Sequence, residues 1–441
     1  MKKYKEKVLR DPIYGDISIH HPLLTELIDS PPFQRLRRIR QLGMCFSVFH
    51  GAEHSRFQHA VGAMWLMHRI LKNWHDNKLL KTKAEIILAA EAAALLHDIG
   101  HGPFSHALEH TFSQVDHETL GQNIVRLILA PVFNKYGIDP EITVSVMNGS
   151  YPEPIYHELL SSQLDVDRMD YLRRDSLFTG AKYGVYDIDR IIYTIKPFRE
   201  PDGRYCCAVD RKGCEAVEGY IFCRYFMHWQ VYLHRTVRSY ETLLRKILER
   251  SHELYRRDPD SLEIPANLKF LFAEPESKNI SVQESSAEFL HSYIQIDDFD
   301  FYHTLKLWMN NSDPVLSDLA ERFLNRRPFK AFDDPGSESV KHQIINCVKK
   351  QKGELWQWYY LTDTPQNLGY TPYQPGKTAS PIRILNNPPN DWKEISQAGR
   401  TKAIEALSEP ISRPLIMIPH SCYYKIEHLL KKERPYQSSI F

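Results

Sequence analysis

Apolar residues recur at three- and four-residue spacing from about residue 21 to residue 260, as in Leu23-Leu24-Leu27-Ile28, Val61-Met64-Trp65-Met67 and Ile86-Ile87-Ala90-Ala93-Leu96. This spacing predicts a succession of amphipathic helices. Pro31-Pro32 separates the first from a helix expected over 33–42, which Gly43 would close as a C-cap. The run 45–49 (Cys-Phe-Ser-Val-Phe) is too short for a helix and reads as a small strand. Segment 91–97 ends a very apolar helix, because Gly100, Gly102 and Pro103 cannot continue it, and that helix is expected to be central and buried.

Further along, 204–209 with 210–213 reads as a small hairpin before a long helical stretch over 216–256. A polar, Pro-punctuated region follows from about 257 to 300, then a helical block ending near Lys330. Beyond it the pattern shifts: 356–361, 382–385 and 415–418 read as strands with a helix over 391–395 among them. The fold class expected is mainly α, with a helical core over 1–330 and a smaller α+β region over 331–441. Gly376-Lys377-Thr378 ends like a phosphate-binding loop, but residue 371 is Thr where such a loop needs Gly, so it reads as an ordinary loop.

The chain's 441 residues, 42% hydrophobic and 25% charged, suit a globular protein with a sizeable core. No apolar stretch has the length of a membrane span, and the basic start runs into Asp11-Pro12 where a signal peptide would be apolar. Seven cysteines without a CxxC pair fit a reduced, cytoplasmic compartment. A net charge of +1 argues against nucleic acid as a partner of the whole chain. Only 35–40 (Arg-Leu-Arg-Arg-Ile-Arg) concentrates positive charge, and by itself it reads equally as a solvated helix face.

The densest metal-competent segment is His97-Asp98-Ile99-Gly100-His101-Gly102-Pro103-Phe104-Ser105-His106. Neighbouring residues inside a helix point about 100° apart, so His97 and Asp98 can share an ion only where the helix is ending. A second cluster, His54-Ser55-Arg56-Phe57-Gln58-His59, opens an upstream helix with Arg56 and His59 on one face. In a third, Asp167, Tyr171 and Asp175 fall on one helical stripe. A charged stripe is commonly a solvated face, but the central aromatic argues that this one lines a cleft. Two histidines with two carboxylates suit one divalent ion of Mn, Fe, Co, Ni, Zn or Mg without choosing among them. The surrounding Arg and His suit a multiply charged anion.

These residues, spaced His…His-Asp…Asp, closely resemble the HD-domain deoxynucleoside triphosphate triphosphohydrolases over Lys7 to about Lys330, with the motif region at about 50–180. The resemblance implies a metal site of His59, His97, Asp98 and Asp167, with Mg also accompanying bound nucleotide. It implies phosphate and catalytic roles for Arg56, His101, His106, His117, Arg168 and Tyr171, with Glu109 supporting the histidine that donates the proton. Gln41 and Asp175 would hold the sugar 3′-hydroxyl, and Leu42 would pack on the ribose. The implied reaction is attack of water on the α-phosphorus of a dNTP, releasing nucleoside and inorganic triphosphate. It further implies a homotetramer activated by a guanine nucleotide or dNTP at subunit contacts, through Lys7, Asp29, Gln34, Arg37, Arg326 and Lys330. Without an effector, Asp29 would cap the helix beginning near Pro31 and Arg37 would be solvated.

The sequence departs from the vertebrate members at Gln230, expected in the place of a phosphate-binding Arg, and at Arg238 and Ser239, where a Tyr and a Gln lie near sugar and base. Base preference and strictness for deoxyribose are thereby left open. Two other functions compete: an HD-type nucleotidase or phosphodiesterase with the same metal set, and a binding module that contacts RNA or single-stranded DNA through 35–40 and the C-terminal region.

Overall fold

The apolar segment that closes at His97 is the Ala84–Leu96 helix, buried along its whole length from Leu88 to Leu96. A helix apolar on every side has to be surrounded. It packs against the Arg56–Asp76 and Pro140–Asn148 helices, and the Val166–Thr179 helix packs in turn against Arg56–Asp76. The structure, a computed structural model, describes residues 6–105, 115–272, 286–367, 380–386, 391–399, 401–407 and 411–433. The fold is mainly α, as the spacing predicts, with small sheets at its margins.

Where the central helix ends, the chain makes a close approach that only glycine permits. A Cβ on Gly100 would stand 2.0 Å from the carbonyl oxygen of His117 and 2.4 Å from the nitrogen of Gly121. The first turns of the His117–Ile124 helix therefore press directly on the residues after His97 and Asp98.

Several local expectations are corrected. The helix expected over 33–42 stops early: Pro31–Arg35 is helical, Leu36–Arg38 forms a 3₁₀ turn, and Ile39 turns extended so that Arg40 bridges to Ser55. Gly43 is in the left-handed region (φ +49°) and begins a 3₁₀ turn, Gly43–Ser47, where a strand was expected. A short apolar run signals burial without specifying a partner strand. The basic run is only partly a solvated face: Arg37 and Arg38 are exposed, with Arg37 3.5 Å over the Phe57 ring and Arg38 paired with Asp297, but Arg35 is fully buried and donates to the Ile296 carbonyl. The hairpin closes the other way round, with Tyr205–Val209 paired to the upstream strand Ile195–Arg199, while Arg211–Gly213 is a 3₁₀ turn. The long stretch over 216–256 is two helices, Cys214–Met227 and Arg235–Arg257, joined through a π-turn at His228–Tyr232.

In the C-terminal part, the strand at Leu415–Ile418 is present and lies between Lys330–Asp333 and Leu361–Asp363. Gly353–Trp358 is a 3₁₀ turn, so the strand expected over 356–361 starts only at Leu361. The helix expected over 391–395 is instead the strand Trp392–Glu394, which pairs with Arg383–Leu385. A helix over Glu338–Lys352 was not foreseen. Gly376-Lys377-Thr378 lies outside the described residues.

Arg383–Leu385 also runs parallel to Tyr205–Val209, and Arg383 reaches Glu158 and Glu200 at 3.1 Å each. Ser239 donates to the Phe329 carbonyl at 2.7 Å, and Arg238 pairs with Asp363 at 2.7 Å. The described residues beyond 331 are thus joined to the helical part by the shared sheet and by the Arg383 and Asp363 ion pairs.

Gly100→Ala is expected to cost about 1–3 kcal/mol through overpacking, because the obstructing atoms are backbone. Chemical denaturation measures this, and an unchanged midpoint would mean that the His117 helix is free to move away.

Candidate metal centre and substrate cleft

His59 lies one turn into the Arg56–Asp76 helix with its ring fully buried. His97 terminates the central helix, Asp98 follows it, and Asp167 opens Val166–Thr179. Three different elements thus aim their donors at one point. His59 Nε2 is 3.2 Å from His97 Nε2, 3.1 Å from Asp167 Oδ1 and 3.7 Å from Asp98 Oδ2. His97 Nε2 lies 3.4 Å from Asp98 Oδ1 and 3.6 Å from Asp167 Oδ1.

The outer nitrogens show what this point requires. His59 Nδ1 faces Asp170 Oδ2 at 2.8 Å and His97 Nδ1 faces the Ala94 carbonyl at 2.9 Å, and both partners can only accept. Each Nδ1 therefore carries a proton, and the two Nε2 atoms converge on two carboxylates. Such a set is stable only around a positive charge, so the residues fit a divalent ion. Burial disfavours a charged His59, yet hydrogen bonds to Asp167 and Asp170 raise its pKa to about 10. Burial likewise opposes the ionised Asp98, but Arg56 above all, then His97 and His101, hold it well below the usual carboxylate range.

Asp170, invisible as a functional residue in the sequence, is the base of a buried chain. Arg174 binds it through Nε (2.8 Å) and Nη2 (2.9 Å), and Arg174 Nη1 reaches Asp11 at 2.9 Å. The 3 and 4 spacing of Asp167, Asp170 and Arg174 is the one signal that could have pointed to them.

Beside the metal centre opens a cavity of about 440 Å³. Gln41, Leu42, Arg56, Asp98, His101, His117, Asp167, Tyr171 and Asp175 line it, so most residues expected in the site meet there. His106 and Glu109 lie outside the described residues. Arg56 pairs with Asp98 and donates to Ser105 Oγ at 3.0 Å. Phe104 and Ser105 both take left-handed backbone (φ +54° and +55°), a cost of order 1–3 kcal/mol each that the surroundings must impose. Asp298 does so, accepting from Phe104 N at 2.8 Å and Arg40 N at 3.0 Å.

The His101 and His117 rings stack with centroids 3.7 Å apart. Burial and then the Arg56 charge keep His101 neutral. Gln41 Oε1 is buried without a hydrogen-bond partner. Asp175 accepts from Tyr232 at 2.8 Å and meets His54 Nε2 at 2.7 Å. Arg168 sits against Asp165 and is not among the cavity-lining residues. The π-turn brings His228 and Tyr232 to the cavity, which periodicity could not show. Gln230 does not line it; positive charge reaches Tyr171 from Arg168 and then Arg224, and reaches His228 from Arg224 and then Arg168, and the buried Arg224 Nε has no hydrogen-bond partner. Burial, followed by Arg224 and Arg168, lowers the His228 pKa to about 3. Arg238 and Ser239 are committed to Asp363 and Phe329, as described above, and neither lines the cavity.

The remaining expected residues lie in two groups outside this cavity. Lys7 pairs with Asp29 at 2.6 Å, and Gln34 accepts from Arg37 at 2.9 Å. Ser30, not Asp29, holds the N-cap position before Pro31. Arg326 and Lys330 line a different cavity of about 790 Å³.

A fold of this kind, with histidines and aspartates gathered at the ends of packed helices, is that of the HD domain, and the family description "HD domain" matches residues 56–175. The chain is 34% identical to the uncharacterized protein YwfO of Bacillus subtilis over 92% of its own length and 90% of that protein's. A solved phosphohydrolase from Bacteroides thetaiotaomicron superposes with a TM-score of 0.83 at 32% identity, covering 94% of this chain and all of that one. The zebrafish deoxynucleoside triphosphate triphosphohydrolase SAMHD1 is 28% identical over 76% of this chain, which spans 56% of that enzyme. The chain belongs to the HD-domain phosphohydrolase family and is a metal-dependent hydrolase. No helix among the described residues is long and apolar enough to cross a membrane.

Two outcomes are expected. His97→Ala or Asp98→Ala abolishes retention of the active-site ion with the helical content intact, and Asp170→Asn weakens metal affinity about 10–100-fold by loosening His59. Elemental analysis after dialysis against graded chelator reads both. Metal affinity also falls as pH falls, since a proton competes for the His59 nitrogen that binds metal only when deprotonated; affinity independent of pH from 8 to 6 would exclude His59 as a ligand.

Proposed function

We propose that the protein hydrolyses a deoxynucleoside triphosphate to deoxynucleoside and inorganic triphosphate. The observation that carries this reading is one cavity lined at once by Asp98 and Asp167 of the metal centre, by cationic Arg56, and by Gln41, Leu42 and Asp175. A phosphate chain beside the metal and a sugar over Leu42 occupy it together. The unpartnered Gln41 Oε1 and the Asp175 carboxylate supply acceptors for a sugar hydroxyl. A divalent ion held by His59, His97, Asp98 and Asp167 would polarise a phosphoryl oxygen and acidify a bound water. Arg56 binds the phosphates, with Arg168 and Arg224 adding positive potential around Tyr171. His117, stacked on neutral His101, donates a proton to the departing 5′-oxygen. His106 and Glu109 complete the site in the same reading.

The two outlying groups support regulation at subunit contacts. Lys7, Asp29, Gln34 and Arg37 form one exposed polar group, and Arg326 and Lys330 belong to another surface. A guanine nucleotide or dNTP bridging these half-sites in a homotetramer raises activity, and Asp29→Ala or Arg37→Ala abolishes that response without loss of metal. Light scattering and turnover, titrated with each nucleotide, check this, and binding of effector and substrate must tighten each other equally.

Incubation of metal-loaded protein with single and paired nucleotides in ¹⁸O water tests the reaction. Label on the α-derived phosphorus of inorganic triphosphate is expected, and His117→Ala slows its release by about 10²–10⁴-fold. Orthophosphate with nucleoside diphosphate, or turnover of monophosphates and cyclic nucleotides alone, would overturn the assignment.

A further inference from the structure

Among the described residues, two groups of histidine and carboxylate come close enough to share an ion, and only one is in the cleft. The other joins His20, directly after the strand Gly15–Ile19, to His68 on the Arg56–Asp76 helix and Glu91 on the central helix. His68 follows His59 by nine residues, which is roughly 180° around the helix and about 13 Å along it. The group therefore stands on the face turned away from the catalytic metal.

The Glu91 side chain is 1% exposed, while His20 and His68 are 32% and 20% exposed. Glu91 Oε1 lies 2.8 Å from His68 Nδ1. Its Oε2 lies 3.0 Å from His20 Nε2 yet is out of line for a hydrogen bond, so that this buried oxygen has no hydrogen-bond partner. The two imidazoles lie tilted at 33° with centroids 4.3 Å apart, and Trp65 stacks on His68 at 5.3 Å. Two imidazolium rings at this separation would repel, whereas two neutral rings would leave a buried carboxylate without a cation. One shared cation, whether a proton on a single ring or a metal ion between all three, satisfies both constraints, and the spacing of the donors suits the metal ion. Nitrogen and oxygen ligands at about 2.0–2.2 Å from an ion stand roughly 3 Å from each other, close to the separations found here.

We propose that His20 Nε2, His68 Nδ1 and the Glu91 carboxylate form a second metal site, for a divalent transition ion of the zinc, cobalt or nickel class, with its remaining coordination open to water. Two imidazoles and one carboxylate select this class over Mg or Ca. Burial opposes the ionised Glu91, but the two adjoining histidines outweigh it and hold its pKa below the ordinary value. The site's role is structural. It ties the end of the N-terminal hairpin to both central helices, and the same hairpin carries Asp11, the terminus of the ion chain behind His59.

The test uses the full-length protein, stripped with chelator, reloaded with Zn(II) or Co(II), desalted and analysed for metal per chain. Two equivalents are expected in the wild type and in His75→Ala, a control at an exposed histidine; one is expected in His20→Ala, in Glu91→Gln and in Asp98→Ala. Because Glu91→Gln can fail to fold, the deciding variant is His20→Ala, which removes a partly exposed ring. Zn(II) should raise the melting temperature of Asp98→Ala and leave that of Asp98→Ala/His20→Ala unmoved. One equivalent in the wild type, or equal retention in the wild type and His20→Ala, overturns the proposal.

Discussion

A carboxylate buried behind a histidine decides where the histidine's free lone pair points, and Asp170 does this for His59. With the Nδ1 proton committed to Asp170, only Nε2 faces the ion, and the ring cannot turn without stranding a charge in the core. Asp170 is itself tolerable only because Arg174 binds it with two nitrogens and Arg174 is in turn neutralised by Asp11. Four residues from three elements thus form one buried object whose net charge is low although each member is ionisable. The helix pair that contains it must also approach closely: a Cβ on Gly62 would stand 1.9 Å from Asp170 Oδ1 and 2.5 Å from Arg174 Nη2. The absence of a side chain at Gly62 is therefore a condition for the Asp170–Arg174 pair that holds His59.

The other half of the site depends on how a helix ends. His97 and Asp98 both reach the ion because the backbone leaves helical geometry between them and Gly100, and the tight approach at Gly100 holds the His117 helix against that exit. This contact also explains why His101 and His117, sixteen positions apart in sequence, stack at 3.7 Å. The strained Phe104-Ser105 turn completes the wall, clamped from outside by Asp298, and through Ser105 it fixes the Arg56 guanidinium.

Legibility followed the range of the signal. That His59, His97, Asp98 and Asp167 come together was legible from the family resemblance and from local patterns, since His97-Asp98 sits at a helix stop and His59 and Asp167 lie in the opening turns of helices. The central helix was readable because it is apolar all round. The roles of Asp11, Asp298, Tyr232 and His54 were not, since they arise from contacts between residues more than fifty positions apart, and even the cluster that contains His54 gives no hint of its partner Asp175. The basic run at 35–40 shows the same limit from the other side. Spacing and charge alone make it a solvated face, whereas Arg35 is enclosed by Tyr293 and the Ile296 carbonyl, both far along the chain. In the C-terminal part, strands of three or four residues carry too little periodicity to be separated from turns, and pairing partners decide them instead.

The Arg56–Asp76 helix explains how catalysis and architecture are divided in this fold. One face presents His59 and Arg56 to the cleft, and the opposite face presents His68 to the hairpin and the central helix. Glu91 and His97 divide the central helix in the same way, one placed midway on its buried length and the other at its end. The two helices are thus pinned together near one end and again near the middle by groups that can each hold a cation, and the Ala-rich stretch Ala89 to Ala94 lets their backbones run close. A displacement of either helix along its axis would disturb both sites. The positions of His59 and His97 therefore depend on contacts made on the far side of the core as well as on those in the cleft.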